Sequence, residues 1–238
     1  MQLGNPVVIE PQEPVEAAVI WIHGMMDAPD NWSHRLMPFA KQFPSWKWIL
    51  LRAPQLAITY LNGDAAAAWG DFKERAAVNV GGTDHEREDC ILPEMVGAVH
   101  QTLDALHNKD GLPFGNIAVA GFSQGAALTA EAVLRFPHSI AGYVVLCGWL
   151  TPAARSSLMS SCNKCTPVLL GHSYADEEVD FKCAELSQQR LLDASTPVKH
   201  HTVSEMDHIP AAFQMLPEAI TFLAEAFANT LRTDESLP

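Results

Sequence analysis

The stretch GFSQG, residues 121–125, sets a serine between two glycines where the apolar run NIAVA gives way to the alanine-rich, helix-forming QGAALTAEAV. A strand that passes into a helix without a loop turns through a cramped corner, and glycine tolerates both the crowding and a positive φ. The pattern reads as a nucleophile elbow: Ser123 is held out at the apex, and Gly121 and Gly125 are small enough for strand and helix to approach closely. The chemistry on offer is attack of a hydroxyl on an acyl carbonyl. A serine does this poorly until a base takes its proton, and the base needs a carboxylate to fix its tautomer and stabilise its cation.

Elbows of this kind take their acid, and then their histidine, from later in the chain. That order sets aside His23, His34, His85, His100 and His107 as the base. His138, in RFPHSI, precedes any suitable acid and reads as a helix-end residue near exposed carbonyls. His200 and His201 are neighbours in the strand-like PVKHHTV, so they face opposite ways and lie within the strand. His208, in SEMDHIPAAF, falls after the last strand and before the last helix, in a flexible loop able to swing its imidazole toward the elbow. For the acid, HSYADEEVD offers Asp176, Glu177, Glu178 and Asp180. Asp176 comes first after the strand and is preferred, Glu177 is its rival if the register shifts, and the later acids suit the first turn of the next helix. Asp193 sits at the far end of that helix, and Asp207 adjoins His208 with no strand of its own to aim it. The tetrahedral intermediate needs two donors aimed at its oxygen. The Gln124 amide, directly after the nucleophile, supplies one. The strand end at His23-Gly24 supplies the other, as the amide of Met25.

To meet, these residues need an open sheet with a site beyond the carboxyl ends of its strands. Short β-branched runs alternate with longer helical stretches, which predicts a mostly parallel sheet covered on both faces. Strands are expected at 17–22, 46–51, 116–120, 142–147, 167–171 and 197–203, and helices at 31–43, 88–107, 124–136, 178–193 and 210–229. Residues 52–87 interrupt the alternation with mixed aromatic, apolar and glycine content, which predicts a substrate-lining loop or, alternatively, a surface excursion with a helical turn or two. The polar tail 231–238 reads as frayed. No repeat or low-complexity linker divides the chain, and 238 residues with 48% hydrophobic content suit a single α/β domain.

The net charge of −13 repels phosphate backbones and anionic headgroups, which argues against nucleic-acid binding. The chain lacks a long apolar run, and its start, MQLGNPVVIEPQEPVEA, has no basic end followed by an apolar block. Neither an integral membrane segment nor a signal peptide is expected, and the expected location is cytoplasmic. The five cysteines, Cys90, Cys147, Cys162, Cys165 and Cys183, are odd in number and irregularly spaced, which predicts reduced thiols. CNKC at 162–165 has no second pair for zinc and lacks the early βαβ unit of a redox motif.

With these residues in place, the chain resembles the acyl-protein thioesterase, lysophospholipase and carboxylesterase group of small serine α/β-hydrolases over roughly residues 15–230. The likeness is carried by WIHGMMDAPDNW beside the group's HG-L-G-D pattern with its following tryptophan, by RAPQ…NG…W beside its post-strand loop, by GFSQGAAL beside GFSQGG, and by MDHIP beside its histidine loop. The resemblance implies an α/β-hydrolase fold and hydrolysis of acyl esters or thioesters, with S-acylated proteins, lysophospholipids and small esters as substrates. It implies Ser123, Asp176 and His208 as nucleophile, acid and base, the Met25 and Gln124 amides as oxyanion donors, and no metal or organic cofactor. In this setting Leu56, Ile58, Trp69 and Phe72 would cradle the acyl tail, with packing against the sheet edge as the alternative for any one of them. Two departures stand out. The group's acid loop, HG-x-x-D-x-x-VP, reads HSYADEEVD here, without the glycine or the proline, and its Trp-Phe-Asp reads WGDF. An apolar site mouth would suit either a homodimer or membrane-proximal substrates. Two other readings stand beside this one: a short-chain esterase on the same fold, and a catalytically silent member that binds a ligand or partner.

Overall fold

The computed structural model describes residues 3–72 and 91–234, and its first element is a strand that was not among those expected. In chain order the elements are β1 (Gly4–Ile9), β2 (Ala17–Ile22), α1 (Pro29–Gln42), β3 (Trp46–Arg52), β4 (Gln55–Ala57), β5 (Ala65–Ala67) and α2 (Pro93–Asp110). After them come β6 (Ile117–Phe122), α3 (Gln124–Arg135), β7 (Gly142–Leu146), α4 (Pro152–Leu158), β8 (Val168–Ser173), α5 (Phe181–Asp193), β9 (Val198–Val203) and α6 (His208–Asp234). β1 carries Pro6 and no buried residue, and it pairs antiparallel with β3 at the sheet's edge. Proline cannot donate to a ladder, so an edge is where such a strand is tolerated.

The main sheet has seven strands in the order β1-β3-β2-β6-β7-β8-β9, parallel throughout except at β1. The chain winds outward from β2 in one direction to β3 and in the other to β6, so the crevice beyond the carboxyl ends of β2 and β6 is the switch point where such sheets place their sites. This is the α/β-hydrolase architecture that the resemblance implied. Alternation along each strand divides the core. Ile20, Val119, Val145 and Leu170 point to the side covered by α2, α3, α4 and α5, while Val19, Ala120, Val144 and Leu169 meet α1 and α6 on the other.

α3 is buried from Gln124 to Leu134, lying on β6 and β7 and flanked by α2 and α4. Its alanines are what let a helix enclosed on all sides approach the sheet closely. α2 starts at Pro93 rather than 88, because proline fits the first helical turn, where its missing N–H has no partner to lose. Residues 88–90 of that expected helix lie outside the described residues, as does most of the expected loop's second half. Its first half contains a hairpin, β4 with β5, packed through Leu56, Ile58, Ala66 and Ala68 into a small core of its own. α6 begins at His208 itself and runs to Asp234, into the segment expected to fray. Among the described residues, no helix is long and apolar enough to cross a membrane.

Candidate active site

Ser123 follows β6 directly, and α3 starts at the next residue. It sits at φ 57° and ψ −124°, a conformation that a non-glycine residue adopts only under constraint from its surroundings. The constraint is visible. The Ser123 amide donates to Leu146 O at 2.9 Å, and the glycines on either side admit the backbone where a side chain would not fit. A Cβ on Gly121 would come within 2.4 Å of Gly125 O, and one on Gly125 within 2.3 Å of both Ile22 O and His23 O. The elbow is therefore pressed against the end of β2.

Three side chains distant in sequence meet at this elbow. His208 Nε2 lies 2.8 Å from Ser123 Oγ, and His208 Nδ1 lies 2.7 Å from Asp176 Oδ2. His208 was expected in a swinging loop; it is instead the first residue of α6. Asp207 fixes that start, accepting the His208 amide on Oδ1 at 2.7 Å and the Ala211 amide on its carbonyl at 2.9 Å. Phe122 packs on the His208 ring at 4.7 Å between centroids. Glu177, the rival acid, is exposed, and its amide donates to Asp207 Oδ1 at 3.2 Å.

Asp176 is buried and fully committed. Its Oδ1 accepts the Val179 amide at 2.8 Å and the Glu178 amide at 3.0 Å, while Oδ2 faces His208 and, at 3.3 Å, His172 Nε2. Burial alone would raise this carboxyl, but hydrogen bonds from His172 and His208 outweigh it and hold the group below the usual carboxylate range. The two departures in the acid loop both carry bonds. Ser173, in place of glycine, donates its hydroxyl to Met206 O and so ties the acid loop to the histidine segment. Asp180, in place of proline, caps α5 by accepting the Lys182 amide at 2.9 Å. His172 was not singled out by sequence; its place in β8, four residues before the acid, was the available signal.

The expected oxyanion donors flank Ser123. Met25 lines the cleft with Ser123, and its amide donates to no group among the described residues. Gly24 presses on the nucleophile: a Cβ there would stand 3.2 Å from Ser123 Cβ. The loop beyond is fastened by Asp27, whose carboxylate accepts from Trp32 Nε1 at 2.6 Å, Asn31 Nδ2 at 2.7 Å and the Ala28 amide at 2.7 Å. Gln124 heads α3 with its side chain buried, accepting the Trp69 amide at 3.0 Å and donating to Gly70 O at 3.0 Å.

A cleft of about 810 Å³ opens over Ser123, with Met25, Tyr60, Phe72, Trp149, Val179 and Ile209 among its apolar walls. Of the four residues expected to cradle an acyl tail, Phe72 lines it, and Leu56, Ile58 and Trp69 do not. Leu56 and Ile58 fill the hairpin's own core, which is neither the acyl cradle nor the sheet-edge packing raised as its alternative. Trp69 is fully buried behind the site, where its indole Nε1 donates to His23 O at 2.7 Å. With its amide on Gln124 Oε1 at 3.0 Å, it links the start of α3 to the residue that follows β2. Trp149 was missed, although CGWL lies just past β7, at the same sheet edge as the other site residues.

Two of the histidines set aside as the base have structural settings among the described residues. His138 stacks on Phe114 at 4.6 Å, and His200 lies parallel to Phe181 at 6.0 Å. In CNKC the thiols are free and exposed, while Asn163 between them is buried and anchors the turn by donating to His138 O at 2.9 Å and accepting from Ile140 N at 3.0 Å. Among the described residues, Cys147 is the thiol near the site. Its sulfur, an Asp176 oxygen and a His208 nitrogen all lie within 4.8 Å of one another. Burial and then the Asp176 charge push that thiol up, and an ion held there would have to break the Asp176–His208 hydrogen bond.

Comparison with known proteins identifies the family. The chain is 30% identical over 189 residues to acyl-protein thioesterase 1 of Cryptococcus neoformans, a match covering 77% of this chain and 76% of the relative. It is 31% identical over 190 residues to acyl-protein thioesterase 1 of Schizosaccharomyces pombe, covering 79% and 81%. The crystal structure of SOBER1 from Arabidopsis thaliana superposes with a TM-score of 0.77 at 25% identity, over 89% of this chain and 99% of that one. The model of the phospholipase/carboxylesterase family matches residues 3–226, and with that span the chain belongs to this family of α/β-hydrolases.

Proposed function

We propose that this hydrolase cleaves acyl esters and thioesters through an acyl-Ser123 intermediate. The observation that carries the reading is the unbroken relay from Ser123 Oγ through His208 to Asp176, at 2.8 and 2.7 Å, on the floor of an apolar-walled cleft. His208 takes the Ser123 proton as the hydroxyl attacks the acyl carbonyl. Asp176 holds the imidazole with Nε2 as acceptor and balances the imidazolium that forms. The Met25 and Gln124 amides receive the developing oxyanion. The tetrahedral intermediate collapses, His208 protonates the departing alcohol or thiol, and the same histidine then activates water to release the acid. No step requires a metal or an organic cofactor.

The finer substrate reading is an acyl chain on a protein cysteine or a lysophospholipid, lodged against Phe72 and Trp149. Met26 and Ile209 are exposed and line the same cleft, a surface suited to an incoming aliphatic chain. A homodimer built on those side chains would close the cleft, so we assign them to substrate. Cys147, Cys162 and Cys165 are free thiols, which suits a reducing, cytoplasmic setting. A fluorophosphonate probe should label the wild-type protein and leave Ser123→Ala unmarked; labelling that survives the substitution would remove Ser123 from the mechanism.

A further inference from the structure

We infer that His23, the histidine set aside as a base, is the positioning residue that aims the Met25 amide into the oxyanion site. The inference rests on the acyl-serine reading above. Its starting point is a tautomer that the structure fixes. The Ala53 amide, which can only donate, points at His23 Nε2 at 3.2 Å, so that nitrogen carries the lone pair. The proton of the neutral ring is then on Nδ1, which donates to Gly24 O at 2.7 Å. Burial lowers the His23 pKa, in keeping with a ring that stays neutral.

The bond to Gly24 O matters because of what shares its peptide plane. The carbonyl of Gly24 and the N–H of Met25 belong to one trans peptide unit and point to opposite sides of it. Holding the carbonyl toward His23 turns the Met25 N–H the other way. Gly24 lies against the nucleophile, and Met25 lines the cleft beside Ser123. A glycine has the freedom to let this peptide rotate, so the sequence places its most mobile residue where the donor must be most firmly aimed. His23 removes that freedom. It is itself immobilised: its ring packs on Trp69 at 5.1 Å and its carbonyl accepts the Trp69 indole N–H at 2.7 Å. Replacing His23 therefore leaves the amide present and lets it point elsewhere.

Two amide substitutions separate aim from mere packing. Asparagine places an N–H donor where Nδ1 stands and reaches Gly24 O, but it leaves the buried Ala53 amide without an acceptor. Glutamine places an oxygen where Nε2 stands and satisfies Ala53, but it leaves Gly24 O without its donor. Under this inference stability and turnover rank in opposite order. His23→Gln should melt closer to wild type than His23→Asn, yet turn over a p-nitrophenyl acyl ester about 10- to 100-fold more slowly, with KM within about threefold, which is less than the roughly 10²- to 10³-fold of deleting an oxyanion donor. His23→Asn should keep kcat within about threefold of wild type. Inhibition by an alkyl trifluoromethyl ketone, which forms an oxyanion on the serine, should weaken in His23→Gln by the same factor as kcat and hold in His23→Asn. Activity that follows melting temperature, with the glutamine variant the more active, or equal kcat in both, overturns the inference. Wild-type turnover set against Ser123→Ala tests the underlying reading separately: if the two are equal, the acyl-serine mechanism fails before His23 is at issue.

Discussion

Replacing Asp176 by asparagine changes few atoms, and the structure dictates which way the new amide must face. Oδ1 accepts the Val179 and Glu178 amides at 2.8 and 3.0 Å, whereas Oδ2 faces His208 Nδ1 at 2.7 Å and His172 Nε2 at 3.3 Å. The asparagine oxygen must take the Oδ1 place, because the opposite orientation sets an NH2 group against two backbone donors in a buried site. The NH2 then points at His208 Nδ1, which has to accept, and the imidazole proton moves to Nε2. From there His208 donates to Ser123 Oγ and cannot take its proton. A wrong tautomer of this kind costs roughly 10³- to 10⁴-fold in turnover, equivalent to about 4–5.5 kcal/mol of transition-state stabilisation. Asp176 is not among the cleft-lining residues, so KM for a p-nitrophenyl ester should stay within about threefold. Steady-state kinetics give both quantities, and circular dichroism checks the fold. Asp176→Asn with kcat within tenfold of wild type would refute the tautomer reasoning, and a comparable loss in Glu177→Gln would move the acid to the neighbouring residue.

Two further outcomes are expected. Trp149→Ala should reduce kcat/KM for long acyl esters more than for short ones, since each methylene buried against the wall contributes roughly 0.8 kcal/mol; Leu56→Ala should lower the melting temperature and leave the chain-length profile intact, and a profile altered by Leu56→Ala would return that residue to the substrate. Stability should also carry a histidine signature. Burial holds His23 below 6.5, so between its folded value and 6.5 the unfolded chain binds a proton that the folded chain lacks. Stability therefore rises with pH across that window by up to about 1.4 kcal/mol per pH unit and levels off above it. Urea unfolding between pH 5 and 8 should show a shallower slope for His23→Asn than for wild type, and parallel curves would mean that the ring titrates alike in both states.

The strands that lead to the oxyanion loop, the nucleophile and the acid were legible because β2, β6 and β8 are buried along their whole length, whereas β9, which leads to His208, has no buried residue and was read from its β-branched ends. The elements that escaped lack that signal for identifiable reasons. β1 is an edge strand with Pro6 and no fully buried residue, and its apolar run is only Val7, Val8 and Ile9, of which Val7 and Ile9 touch the core. The hairpin strands are three residues each, and one of them is all alanine, a residue with little preference for a strand. α4 is a single short helix opened by Thr151, whose hydroxyl accepts the Ala154 amide at 3.0 Å. At the site, chain order was enough to bring Ser123, Asp176 and His208 together, because the order of strand ends along a parallel sheet is a property of sequence. The cleft walls were not legible in this way. Leu56 and Phe72 belong to the same irregular segment and are equally apolar, and only the hairpin between them decides that one is enclosed and the other faces the nucleophile.

Trp69 shows what that distinction means for catalysis. Its position in the substrate-facing segment suggested a ligand contact, but both of its N–H groups are spent on protein: the amide on Gln124 Oε1 at 3.0 Å and the indole on His23 O at 2.7 Å. Gln124 returns a bond to Gly70 O at 3.0 Å. One residue thus ties the start of the elbow helix to the end of β2, the two places from which the proposed oxyanion donors come. The two donors lie on different elements separated by about a hundred residues of chain. Their spacing has to be set by something that touches both, and a rigid indole with two donors is better suited to that than a flexible side chain, since little rotamer entropy is lost in holding it. The residue expected to be a substrate platform is a buried strut between the elbow helix and the end of β2, and under the proposed mechanism it spaces the two oxyanion donors.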